Sequence, residues 1–295
     1  MIRLFASDLD GTLLGAFHNV NAPVRHAIRE VTATGAHFAV ATGRTFRASD
    51  DFGFTGVDCE VVCANGAIVL DREGQIVRYA QMDPAVVEEM LRAFPEAPFL
   101  CISRHHSYVR GSREAYEAGY AMRSPVQTAL DRVRSRAMRA GQARYPNERV
   151  FDCTTSDVLA HELCKVNCRL ADAGAARELS AFVSEHAEKI VDAPFSPVMF
   201  EITRAGVDKG EAVSWLAGYL GMGEDEVAVY GDGGNDVAML SRFSRYGHAY
   251  APHGASGDAK RAAGLVLGSN LVYAPARHMA ATAREQAARA RGSER

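Results

Sequence analysis

The sequence predicts an α/β protein: a doubly wound, Rossmann-like parallel-sheet core interrupted by an inserted α+β unit. Two observations carry this expectation. Over residues 1–81 and 191–295, short apolar runs of strand length alternate with segments whose apolar residues recur at helical spacing, the pattern of repeated βα units. Over 82–190 the texture changes to strand-like runs and helices without that alternation. This marks a separate domain in a chain of 295 residues, long enough to divide its core.

The first strand is expected over Ile2 to Ser7 and runs into Asp8-Leu9-Asp10-Gly11-Thr12. Extended backbone puts Asp8 and Asp10 on one face if the strand continues, and Gly11 lets the chain turn. The C-terminal ends of parallel strands are where open α/β sheets receive their ligands. Alone, the pentapeptide fits a turn as well as a site. It also resembles the start of a calcium loop, although Leu13-Leu14-Gly15 supplies no further ligand.

A helix follows from Asn21: Asn21 caps it, Pro23 lies in the first turn, Val24, Ala27, Ile28 and Val31 share a face, and Gly35 ends it. The strand His37 to Ala41 ends in Thr42-Gly43-Arg44. The strand Glu60 to Cys63 ends in Ala64-Asn65-Gly66-Ala67, where Asn-Gly marks a tight turn. In the inserted unit a helix is expected over Pro84 to Phe94 and strands over Phe99 to Ser103, Ser107 to Arg110 and Lys165 to Leu170. Between 131 and 150, Arg132, Arg134, Arg136, Arg139, Arg144 and Arg149 face only Asp131 and Glu148. That run reads as a solvated helical face, with attraction of an anionic substrate as the alternative.

The α/β texture resumes near 191. Val207-Asp208-Lys209-Gly210 leads a helix with Val213, Leu216, Ala217 and Leu220 on one face. The strand Val227 to Tyr230 ends in Gly231-Asp232-Gly233-Gly234-Asn235-Asp236, and strands at Gly247 to Ala251 and Leu265 to Leu267 complete the sheet. From about Met279 the chain reads as a surface helix fraying into a loose tail.

Composition narrows the class of function. Hydrophobic residues at 47%, charged residues at 23% and a net charge of -3 describe an ordinary globular protein with no general nucleic-acid or membrane partner. No apolar run approaches the roughly 18 residues of a membrane span. A first strand at Ile2 leaves no room for a signal peptide, so a cytoplasmic location is expected. The six cysteines, at 59, 63, 101, 153, 164 and 168, read as reduced, buried thiols. His161, Cys164 and Cys168 lack the second close pair of a zinc site. Oligomeric state leaves no mark on the sequence.

Four strand ends thus carry polar groups: Asp8 with Asp10, Thr42, Asn65, and Asp232 with Asn235 and Asp236. A parallel sheet brings them to one edge. Lys209 adds a cation. Clustered carboxylates repel one another and raise their pKa values unless a divalent cation joins them, and carboxylates with waters and phosphate oxygens suit Mg²⁺. Mg²⁺ and Lys209 would offset the charge of a phosphate dianion under attack by a carboxylate. Thr42 and the amides of the Asp10 to Thr12 turn could cradle its oxygens. Asp10 is placed to protonate a leaving alcohol and later to activate water.

Asp8-Leu9-Asp10-Gly11-Thr12, Thr42-Gly43-Arg44, Asp208-Lys209-Gly210 and Gly231-Asp232-Gly233-Gly234-Asn235-Asp236 resemble motifs one to four of the haloacid dehalogenase superfamily. Asn65-Gly66-Ala67 and the order of elements resemble its Cof-type branch. The resemblance implies that Asp8 is the nucleophile forming an aspartyl-phosphate, and that Asp10 is the general acid and base and lends Mg²⁺ its backbone carbonyl. It implies that Thr42 and Lys209 bind phosphoryl oxygens, in a phosphate- and substrate-binding set with Gly43, Arg44, Asn65 and Asn235. Arg44 reads equally as a surface ion pair, and Asn235 as a group that orients Lys209. Asp232, with Asp236 as a direct or indirect partner, completes the metal set of Asp8, Asp10, Asp232 and Asp236.

By the same resemblance, residues 82–190 are a type IIB cap over a core of 1–81 and 191–295. The implied function is a Mg²⁺-dependent phosphatase acting on a small phosphorylated metabolite, with sugar phosphates the leading class. A phosphomutase and a non-catalytic sensor of a phosphorylated ligand are the alternatives. Tyr250 to Ala255 and Ser269 to Val272 depart from the segments usual in Cof-like chains, a difference that bears on subfamily and substrate rather than on catalysis.

Overall fold

Strand β1 (Leu4–Ser7) is buried along its whole length, as an apolar run flanked by neighbours on both sides should be. Helix α1 (Ala22–Thr32) follows, with the Asn21 side chain accepting from Val24 N at 3.2 Å, a proline in the first turn, and Val24, Ala27, Ile28 and Val31 buried. Next come β2 (His37–Ala41) and β3 (Glu60–Cys63). A tight turn over Ala64–Gly66 then leads to β4 (Ile68–Leu70) and β5 (Ile76–Tyr79). The computed structural model describes residues 1–14, 20–46, 53–121, 149–170, 172–194 and 199–293.

These divide into two units, Met1–Arg78 with Asp208–Arg295 and Tyr79–Val207. The second holds α2 (Pro84–Ala93), β6 (Leu100–Ser103), β7 (Ser107–Arg110), α3 (Arg113–Ala121), β8 (Arg149–Cys153), α4 (Thr155–Leu159), β9 (Leu163–Arg169), α5 (Ala173–Glu185), β10 (Ile190–Asp192) and β11 (Met199–Arg204). Its sheet runs β10-β11-β9-β6-β7-β8. Val86, Met90, Leu91, Leu179 and Val183 from its helices pack with Val166 and Ile202 from its strands, and Cys101, Cys153 and Cys168 are buried among them as free thiols. The C-terminal limit lies past β11 rather than at 190, because β11 pairs with β9 over five residues and draws β10 with it. Of the arginine run, Arg149 begins β8, while Arg132 to Arg144 lie outside the described residues.

The first unit resumes with α6 (Lys209–Tyr219), β12 (Val227–Tyr230), α7 (Val237–Ser244), β13 (Ala249–Ala251), α8 (Gly257–Ala263), β14 (Leu265–Val266) and α9 (Ala274–Ser293). Its sheet order is β14-β13-β12-β1-β2-β3-β4-β5, parallel from β14 to β3 and antiparallel from β3 to β4. Val213, Leu216, Met239, Phe243 and Ala259 of α6 to α8 pack on Leu4, Ala6, Ala39 and Val229, one parity of the central strands. Tyr230, of the other parity, faces α9, where its hydroxyl lies 3.0 Å from His278 Nδ1. The fold is therefore doubly wound around a mainly parallel sheet. The C-terminal segment is not a fraying tail. It is one helix with Ala276, Met279, Ala280 and Ala283 buried, packed on α1 and tied to it by Arg284 and Glu30 at 2.6 Å. No helix among the described residues is long and apolar enough to cross a membrane.

Candidate active site

Register decides which loops meet. Ser7 pairs with Tyr230 of β12 on one side and Val40 of β2 on the other, and Ala41 pairs with Val62 of β3. The residues one to three places beyond these strands therefore share one sheet edge: Asp8 and Asp10, Asp232, Thr42, and then Asn65. The backbone continues the alignment, since Asp8 N donates to Tyr230 O at 2.9 Å, Thr42 N to Val62 O at 2.8 Å and Asn65 N to Thr42 O at 3.1 Å.

The centre of the cluster is Lys209. Asp208 caps α6 by accepting from Glu211 N at 2.8 Å, so Lys209 stands in the first turn, where a helix disfavours a cation unless anions lie close. They do. The Lys209 ammonium donates to Asp8 Oδ1 and to Asp236 Oδ1, both at 2.7 Å, with its side chain fully buried. Desolvation opposes its charge, but the carboxylates of Asp236 and Asp8 outweigh it and raise the lysine above its ordinary pKa.

Each carboxylate has a distinct setting. Asp236 Oδ2 accepts from the amides of Asp232 and Gly233, each at 2.9 Å, which locks the loop after β12 around it. Asp232 Oδ1 accepts from the Thr12 hydroxyl at 2.7 Å. That bond joins the first loop to the last, and the sequence pattern had given Thr12 no separate role. Burial raises the Asp8 carboxyl well above the ordinary carboxylate range; Lys209 pulls it down, and Asp236, Asp232 and Asp10 push it up again. Burial likewise lifts Asp232 to about 6, against the hydrogen bond from Thr12 and with the repulsion of Asp236.

Close approach at this edge demands small residues. Gly11 has φ of +85°, and a Cβ there would lie 2.3 Å from Asp232 Oδ2. At Gly231 a Cβ would lie 2.5 Å from that of Asp236.

Of the residues expected at the site, Asp8, Lys209, Asp232 and Asp236 are brought into direct or near contact. One oxygen from each of Asp8, Asp232 and Asp236 lies within 4.8 Å of the others. The Asp10 carboxylate is not in that group. It faces Arg44, whose Nε donates to Oδ2 at 2.6 Å and whose Nη2 donates to Oδ1 at 2.5 Å. Thr42 is buried and its hydroxyl accepts from Arg44 N at 3.2 Å, with Gly43 between them in the same loop. Asn65, at φ of +57°, accepts through its side-chain oxygen from Asn235 Nδ2 at 3.2 Å. Asn235 therefore meets Asn65 rather than Lys209.

The donor set fits a hard divalent cation. Three carboxylates cluster beside one ammonium that bonds two of them, and Asp8 and Asp232 have pKa values raised by burial and by neighbouring carboxylates, a charge imbalance that a cation would relieve.

Comparison with known proteins agrees with this geometry. The model of a family described as haloacid dehalogenase-like hydrolase matches residues 5–272. A Bacillus subtilis protein named phosphatase YwpJ is 26% identical over 261 residues, covering 81% of this chain and 86% of its own. A solved structure of a haloacid dehalogenase-like hydrolase from B. subtilis superposes with a TM-score of 0.78 at 22% identity, covering 94% of this chain and 99% of its own. The structure of BT4131, described as a subclass IIB sugar phosphatase, superposes with a TM-score of 0.69 at 18% identity, covering 94% and 97%.

Proposed function

This chain belongs to the haloacid dehalogenase-like hydrolase family, and we propose that within it the chain is a Mg²⁺-dependent phosphatase of small phosphate esters, working through an aspartyl-phosphate on Asp8. The observation that carries the reading is the ammonium of Lys209 set between Asp8 and Asp236, with Asp232 alongside, at the end of the central strand. Such a group has an obvious use where a carboxylate must approach a dianion. Alone it is an expensive thing to bury.

The chemistry follows from the positions. An oxygen of Asp8 attacks phosphorus while the bond from phosphorus to the leaving oxygen breaks. Protonated Asp10 gives its proton to that oxygen, and the alcohol departs. A water then attacks the phosphorus of the acyl phosphate, Asp10 takes the proton it loses, and the bond to Asp8 breaks to release phosphate. Lys209 steadies Asp8 and the phosphoryl oxygens beside it, and the Thr42 hydroxyl and nearby amides complete the cradle. Asp8, Asp232 and Asp236, with the Asp10 carbonyl, would hold Mg²⁺. Bound there, the ion supplies positive charge that keeps Asp8 ionised and offsets that of the phosphate. The inserted unit is proposed as the family's type IIB cap, the determinant of substrate choice. Sugar phosphates head the candidates because BT4131 is described as a sugar phosphatase.

The test is release of inorganic phosphate from a panel of sugar, nucleotide and aryl phosphates, with and without Mg²⁺. Phosphate release that needs Mg²⁺ and is abolished by Asp8→Asn is the expected result. A folded protein inert across the panel would refute the reading, and an isomeric sugar phosphate in place of free phosphate would make the enzyme a mutase.

A further inference from the structure

The guanidinium of Arg44 is committed to Asp10 through two parallel hydrogen bonds, at 2.6 and 2.5 Å, in a fork-on-carboxylate geometry that only arginine supplies. Neither side chain is a loose surface group: Arg44 is 21% exposed and Asp10 25%. The backbone of Arg44 is also pinned. Its amide donates to the Thr42 hydroxyl at 3.2 Å, and its carbonyl accepts from Ala64 N at 2.9 Å, so the loops after β2 and β3 both hold it. Asp10 sits in a turn completed by Gly11 at positive φ, so its carboxylate and the Arg44 fork meet across two different loops.

We propose that Arg44 is a positioning residue for Asp10 rather than a ligand of the phosphate, and that it aims the group that exchanges a proton with the leaving oxygen. The inference rests on the reading of Asp10 as acid and base. Its physical content is geometric. Proton transfer needs the carboxyl within hydrogen-bond reach of one particular oxygen, and a side chain on a short turn reaches that position only part of the time unless something fixes it. A residue that aims Asp10 matters in proportion to how much the leaving oxygen needs a proton. A phosphate ligand matters equally for every ester.

The experiment measures kcat and kcat/KM for an alkyl phosphate and for 4-nitrophenyl phosphate, whose leaving group departs without a proton, in wild type, Arg44→Ala, Arg44→Lys, Asp10→Asn and the double variant Arg44→Ala with Asp10→Asn. Arg44→Ala is expected to lower kcat/KM, which reports the step that expels the alcohol, for the alkyl ester by at least about tenfold more than for the aryl ester, within the range of acid–base contributions. Arg44→Lys keeps the charge but loses the fork and is expected to show the same selectivity at smaller size. In the double variant, removal of Arg44 should add under about threefold to the effect of Asp10→Asn, as expected for groups that act as one unit. Equal losses of kcat/KM on both esters, or independent effects in the double variant, would overturn the proposal. If Asp10→Asn itself shows no preference between the esters, the acid–base reading fails first, and the two failures are distinguishable. Turnover of the aryl ester in each variant reports that the protein is folded.

Discussion

Replacing Asp232 by Asn should make the metal-free protein more stable while destroying its activity. The Asp232 carboxyl has a pKa of about 6 against an ordinary 3.8, because burial disfavours its charge by more than the Thr12 hydrogen bond and Lys209 favour it. Between those values the folded protein binds more protons than the unfolded chain, so stability falls as pH rises through about 6, and the full penalty is present above about 7. The gap of about two pH units corresponds to something on the order of 3 kcal/mol. Asn has the same shape and keeps an oxygen for Thr12, but carries no charge to desolvate. In EDTA, Asp232→Asn is therefore expected to melt roughly 6–12 °C above wild type at pH 7.5 and within a few degrees of it near pH 4.5. The assay is a pair of thermal melts across that range, wild type against variant, so that titrations elsewhere cancel, including Asp192, which burial also raises to about 6. Added Mg²⁺ should stabilise wild type at pH 7.5 and leave the variant nearly unchanged. A variant less stable than wild type at every pH in EDTA would refute the claim that the buried charge is a burden without its counterion.

Lys209→Met removes the ammonium and leaves its two partners buried. At pH 7.5 in EDTA it should cost about 3–5 kcal/mol, the usual penalty for breaking a buried ion pair from one side. The ammonium itself stays charged over this range, because a lysine raised above 10.5 remains protonated well past neutral pH. The deficit should shrink toward pH 5 as the orphaned Asp8 carboxyl, raised by burial, takes up a proton, and an unchanged deficit by denaturant unfolding at both pH values would count against the cluster as described. Gly11→Ala should lower kcat by about 100-fold with little change in KM, since a Cβ there displaces Asp232 and a shift of an ångström in a reacting group costs that much; normal turnover would show that the first loop has room the structure does not give it.

Most of this site was legible in the sequence because it is built from strand ends. A run such as Leu4 to Ser7 announces a central strand by composition alone, and once four such strands are set parallel, the residues after them must share an edge whatever their separation in sequence. Lys209 was legible for a different reason: a cation in the first turn of a helix is locally unfavourable, so its presence implied anions nearby. What could not be read was the choice of partner among converging polar groups. Nothing local in Arg44 says that its fork closes on Asp10, or in Thr12 that it reaches Asp232, because both bonds join loops that only the completed sheet brings together.

The same limit explains the larger differences. Met199 to Arg204 reads as a strand in either sheet, and only its pairing with β9 assigns it to the second unit. The C-terminal helix has few large apolar residues, so it looked like a solvated tail. Its Ala276, Met279, Ala280 and Ala283 nevertheless lie at helical spacing, and small side chains let α9 lie close against α1.

The arrangement also bears on why the proposed nucleophile follows the central strand. A carboxylate at an edge strand would have one neighbouring loop and ready access to water, which would keep it ionised at no cost. Asp8 has β12 and β2 on its two sides and α6 beside it, so if it is to stay ionised its charge must be met by residues the fold has fixed: Lys209, or a cation held with Asp232 and Asp236. Burial that raises Asp8 and Asp232 is a liability for the unliganded protein and, in the mechanism proposed above, an advantage once positive charge arrives, because a desolvated carboxylate would meet phosphorus without a water shell to shed. Stability and reactivity are thus set against each other at the same three side chains. That opposition is what the rise in stability of a dead Asp232→Asn variant would measure.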